Sequence, residues 1–104
     1  PAETKRVIMS GTEGTDLASL TFQFTDEDHT LGNVMRYLLL KNPDVEFAGY
    51  AVPHPAETKM NLHVQTSEGM SSVDCMREAA ADLGNIAKNM REKITEAVDD
   101  FVPE

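Results

Sequence analysis

The stretch SVDCMREAAADLGNIAKNMREKITEAVDDF, Ser72 to Phe101, decides the fold. Within it Val73, Met76, Ala80, Leu83, Ala87, Met90, Ile94, Ala97 and Phe101 recur at alternating intervals of three and four, an apolar seam held over four heptads of one helix face. At ~1.5 Å per residue such a helix is ~45 Å long, whereas a six-residue strand reaches only ~20 Å. A sheet from the same chain therefore covers about half of the seam, and the rest needs another surface. The competing reading is a long core helix with a frayed end, because Glu92, Glu96, Asp99 and Asp100 crowd its last turns against the dipole. Ile94, Val98 and Phe101 are large and still on period, which favours a packed end.

Upstream, Met60, Leu62 and Val64 alternate with Asn61, His63 and Gln65, the pattern of a half-buried strand. Val45 to Val52 reads as another, with Val45 and Phe47 on one face and Ala48, Tyr50 and Val52 on the other; Pro53 and Pro55 end it. Residues 31–41 switch to helical spacing, with Leu31, Val34, Met35, Leu38 and Leu39 on one face, and Asn42-Pro43 stops that helix. Leu20, Phe22 and Phe24 alternate with Ser19, Thr21, Gln23 and Thr25 in a further strand. Val7-Ile8-Met9 suggests a short one, followed by a turn-rich stretch from Ser10 to Asp16. The order predicts an α+β fold, a small antiparallel sheet carrying a short helix and a long C-terminal helix. Residues 1–104 are expected to form a single domain, with residues 1–6 loose.

Composition narrows the function. Eighteen acidic residues against nine basic give a net charge of −9, spread evenly along the chain. A surface of that sign repels phosphates, so direct nucleic-acid binding is not expected. One cysteine, Cys75, excludes an internal disulfide and a cysteine-based zinc site. No apolar run approaches the ~18 residues of a membrane span, so no membrane partner is expected.

The candidates for chemistry are few. Asp26-Glu27-Asp28-His29 is the densest polar cluster, but Thr30, Leu31 and Tyr37 stand where a calcium loop needs acid, glycine and glutamate. The same cluster is explained as a helix start, in which Asp28 or Thr30 caps free N–H groups. Gly32 and Asn33 are poor helix formers in the first turn, and a glycine there signals close approach of another backbone. Cys75 has Asp74 and Glu78 beside it, which raises a thiol pKa and makes it a small packing residue rather than a nucleophile. No nucleophile elbow, phosphate loop or dinucleotide fingerprint is present. No catalytic residue, metal ligand or cofactor is expected.

The motif DEDHTLGN at residues 26–33, with Arg36, NPDVEFAGY at 42–50, PHPAE at 53–57 and LHVQT at 62–66, closely resembles the small alpha-like subunit shared by eukaryotic RNA polymerases I and III. The resemblance spans residues 5–101, with His63, Ala48 and Ala56 departing from the usual residues and the long helix matching in pattern more than in letters. It implies an alpha-subunit dimerisation-type fold and a non-catalytic assembly role. The implied partner is the larger alpha-like subunit, and the heterodimer is the platform for the large catalytic subunits. It further implies a place in the nucleus, including the nucleolus, and support for synthesis of ribosomal RNA precursor, 5S rRNA and tRNA.

Eleven residues are candidate interface positions: Leu31, Gly32, Asn33, Arg36, Tyr37 and Leu40 on the short helix, and Leu83, Ala87, Met90, Ile94 and Phe101 on the long one. Leu40 points nearly opposite Leu31 at ~100° per residue, beside Asn33, Arg36 and Tyr37, the mix that interface centres favour. Two other classes remain open. One is a metal-dependent hydrolase using Asp28, His29, His54 and His63; the other is a coiled-coil adaptor acting through the long helix alone.

Overall fold

The computed structural model describes residues 7–11 and 18–103. The expected loose segment 1–6, and most of the expected turn after Gly11, lie outside them. In chain order the elements are β1 (Val7–Gly11), β2 (Ser19–Thr25), α1 (His29–Leu40), β3 (Val45–Ala51), β4 (Lys59–Thr66) and α2 (Ser72–Asp99).

The strands form one sheet in the order β1-β2-β4-β3, antiparallel at every pairing. Phe22 lies opposite Leu62 and Leu20 opposite Val64, so the alternating apolar residues of β2 and β4 share one face. Both helices pack on that face. The core comprises Leu20, Phe22, Met35, Leu38, Leu39, Val45, Ala48, Met60, Leu62, Val64, Cys75, Met76 and Ala79. Leaving any one of its large side chains in water instead would forfeit ~1.5–3 kcal/mol.

The faces of β3 differ from the sequence-based expectation. Val45 pairs with Thr66 and Phe47 with Gln65, so the register shifts between them. Glu46 is the extra residue of a β-bulge, which flips the alternation. Val45 is consequently buried with Ala48, while Phe47 turns to the outer face, its ring 6.0 Å from that of His63.

The joints around the helices are local chemistry. Asp26 adopts φ 63°, a left-handed conformation that a short acidic side chain tolerates, and its N–H donates to Thr58 O at 2.7 Å. Asp28 caps α1, its carboxylate accepting from the Thr30 N–H at 3.0 Å. At the other end the Asn42 side-chain oxygen accepts from the Asp44 N–H, and its amide donates to Glu78 of α2. The turn into α2 places Gly69 at φ 85°, with the Met70 N–H bonded to Ser67 O at 2.9 Å. A third residue at positive φ is the signature of a type II turn, where glycine is favoured.

α2 outruns everything else. Its buried residues are Ser72, Cys75, Met76 and Ala79, all in its first turns, and from Gly84 onward every described residue is exposed. The radius of gyration is 16.9 Å, against ~13 Å for a compact chain of this length. The longest dimension, 63 Å, reflects the projecting helix.

Candidate protein interface

Three surfaces collect most of the large apolar residues that are exposed among the described residues. The first is the far half of α2. Leu83 is half-buried at the edge of the core, and beyond it Ala87, Met90, Ile94 and Phe101 continue the seam into solvent. Met90 is 58% exposed, Ile94 59% and Phe101 71%. Ile86 and Val98 widen the strip and are exposed as well. A run of this kind exceeds the scattered single apolar residues of an ordinary surface, which makes the strip a candidate interaction site.

The second surface adjoins the first. An apolar groove of about 460 Å³ lies between β1, β2, α1 and α2, lined by Val7, Met9, Phe22, Phe24, Leu31, Met35, Val73, Met76, Arg77, Ala80 and Leu83. Val7 faces Phe24 and Met9 faces Phe22 across the β1–β2 ladder, on the helix-bearing side of the sheet. No helix reaches that edge, so Val7 and Met9 stay more than half exposed. Leu83 belongs to both surfaces and makes them continuous.

The third is the outer side of α1. Tyr37 and Leu40 are 58% and 49% exposed, and the Lys41 ammonium sits 4.7 Å above the Tyr37 ring centre. The Arg36 guanidinium donates to the Asn33 side-chain oxygen at 3.1 Å, one turn away. Both residues are exposed, and each retains hydrogen-bonding capacity beyond that bond.

The expected interface residues therefore divide. Leu83, Ala87, Met90, Ile94 and Phe101 form one strip; Asn33, Arg36, Tyr37 and Leu40 form another; Leu31 lines the groove. Gly32 is a correction: it is buried, and a Cβ there would stand 2.5 Å from the Tyr50 ring. The close approach it permits is to an aromatic side chain of its own chain, not to another backbone. Sequence reading missed Val7 and Met9, because a three-residue alternation is too short to reveal which face is left open. Ile86 was missed because it lies just off the three-four count.

The other chemical readings lose their geometry. His29 Nδ1 lies 3.2 Å from the Tyr50 hydroxyl, whereas His63 Nδ1 lies 2.9 Å from Thr21 Oγ1 on the opposite side of the sheet. Among the described residues no group of three or more His, Cys, Asp or Glu is placed to hold a metal ion. Burial first, then the charges of Asp44, Glu78 and Asp74, push the Cys75 thiol above its ordinary value, the reverse of an activated nucleophile. An adaptor built on α2 alone conflicts with Cys75, Met76 and Ala79, which the sheet and α1 bury.

Comparison with known proteins adds an independent line. Residues 19–93 match the model of the RNA polymerase Rpb3/Rpb11 dimerisation domain. The DNA-directed RNA polymerases I and III subunit RPAC2 of Schizosaccharomyces pombe is 46% identical over 93 residues, covering 89% of this chain and 74% of that protein. Its namesake in Saccharomyces cerevisiae is 39% identical over 98 residues, covering 94% and 69%. The crystal structure of DNA-directed RNA polymerase subunit L from Thermoplasma acidophilum superposes with a TM-score of 0.67 over 96% of this chain and 97% of that one. At 18% identity, that likeness is one of fold.

Proposed function

This chain belongs to the RNA polymerase Rpb3/Rpb11 dimerisation-domain family, and from that membership we propose that it is a non-catalytic assembly subunit of DNA-directed RNA polymerases I and III. Residues 1–104 act as one alpha-like dimerisation domain. The partner is the larger alpha-like subunit, and the heterodimer is the platform on which the large catalytic subunits assemble. The chain works in the nucleus, including the nucleolus, where it supports synthesis of ribosomal RNA precursor, 5S rRNA and tRNA. It requires no cofactor and makes no direct contact with nucleic acid.

The observation that carries this reading is the seam that leaves its own core at Leu83 and continues to Phe101 without cover. Seating Met90, Ile94 and Phe101 on an apolar surface yields ~1.5–3 kcal/mol for each side chain fully buried. The chain's own sheet does not supply that surface, because every described residue from Gly84 onward is exposed. The polymerase names of the relatives support the same partner class.

Co-purification of the full chain with the larger alpha-like subunit, followed by mass spectrometry of the bound chains, tests the reading. Met90→Leu conserves volume and is expected to assemble like the parent, at a cost under ~1.5 kcal/mol. Met90→Asp places an unpaired carboxylate in an apolar contact and is expected to lose the complex. Equal yields from the two variants would remove the distal seam from the interface.

A further inference from the structure

The exposed half of α2 is polarised in charge as well as apolar. Residues 84–93 hold Lys88, Arg91 and Lys93 against Glu92 alone, whereas residues 94–103 hold Glu96, Asp99 and Asp100 and no base. The last turn has no basic residue, so its carboxylates oppose the negative end of the helix dipole. Among the described residues, none of the seven charged groups on these two segments makes an ion pair. At ~100° per residue, Arg91 and Lys93 flank the seam at ~80° to either side, and Asp100 lies ~100° from its centre at the tip. These charges stand at the rim of the strip formed by Met90, Ile94 and Phe101.

We propose that this half of α2 docks in one direction only, on a partner surface whose apolar floor is rimmed by Lys and Arg where it receives Asp100 at the tip and by Asp and Glu where it receives Arg91 and Lys93. The inference rests on the heterodimer reading and deepens it by stating the chemistry of the partner's surface. Two features carry it: the strip is continuous with the groove at Leu83, and its rim changes sign along its length. Rim charges that meet their opposites steer encounter and fix register more than they add affinity. A helix docked end for end would set acid against acid at the tip and base against base below it.

The test uses the full chain and the larger alpha-like subunit, measuring affinity and association rate at low and high salt. One variant carries Asp100→Lys, the other Arg91→Glu with Lys93→Glu, and Met90→Asp is the apolar control. Each charge variant is expected to bind about tenfold more weakly at low salt, chiefly through slower association, with the gap closing as salt rises. The tip variant improves the match to the helix dipole, so its circular dichroism is expected to show equal or greater helicity, and weaker binding then reports on the partner. Parent-like or tighter binding by the tip variant would overturn the proposal. Loss with Met90→Asp but not with either charge variant would leave the heterodimer reading standing and remove only the direction. Parent-like binding by Met90→Asp would remove the seam itself. Self-association of the parent chain that the larger subunit does not displace would make a second copy the occupant and overturn the proposal.

Discussion

Gly32 shows how one residue couples a helix to a sheet. The Tyr50 ring lies against its Cα, and the Tyr50 hydroxyl meets His29 one turn earlier. A methyl at residue 32 would stand 2.5 Å from Cδ2 and 2.7 Å from Cγ of that ring, atoms near the root of a side chain held from both ends. Gly32→Ala gains ~1 kcal/mol of helix propensity but incurs ~1–3 kcal/mol of overpacking, and is expected to lower the unfolding midpoint of the heterodimer. Gly84 is the contrasting case: a Cβ there meets nothing within 4 Å, and Gly84→Ala is expected to stabilise α2 by ~0.5–1 kcal/mol. Denaturant titration of both variants checks the opposite signs. Cys75 supplies a pH-dependent counterpart. Its thiol ionises above the ordinary value of 9.0 in the folded chain, so the unfolded state loses that proton first. Its contribution is whole below the unfolded pKa and is lost as pH rises through the folded one. Thiol labelling is expected to be slow in the native protein and fast in denaturant, and rapid native labelling would contradict the burial.

At the scale of elements, α1 has two distinct apolar sides. Met35, Leu38 and Leu39 are buried in the core, whereas Tyr37 and Leu40 face away from it. Leu40→Asp is expected to weaken capture of the larger alpha-like subunit while leaving circular dichroism unchanged, and Arg36→Ala to act in the same direction. Parent-like assembly of Leu40→Asp would return this side of the helix to solvent. The start of α1 was readable to within two residues, since the spacing begins the helix at Leu31 with Asp28 or Thr30 as its cap and the structure begins it at His29 with Asp28; α2 was readable because its seam repeats long enough to define a face. β3 was not. Its strand was evident, but its inward residues depend on the bulge at Glu46, which is set by pairing with β4 and leaves no trace in the alternation of β3 alone. The groove was hidden for a related reason. That Val7 and Met9 are left open follows from how far α1 and α2 reach across the sheet, which only the packed structure determines.

At the scale of the whole molecule, a thin core and a projecting helix leave the far half of α2 exposed. Its described extents of 63 × 35 × 26 Å belong to a body with one long unsupported arm. Alone at micromolar concentration it is expected to self-associate or aggregate through the strip from Leu83 to Phe101, and co-expression with the larger alpha-like subunit is expected to restore a single species. A monodisperse, stable monomer in light scattering would contradict this. The central claim is that the arm is buried in the assembled state, and amide hydrogen exchange tests it most directly. With the chain alone, residues 84–101 are expected to exchange rapidly through fraying, because every one of them is exposed. With the larger alpha-like subunit bound, exchange over those residues is expected to slow by an order of magnitude or more, while β4, already sealed in the core, changes little. Unchanged exchange from residue 84 to 101 in a complex that has formed would show that the distal half of α2 is not where the two chains meet.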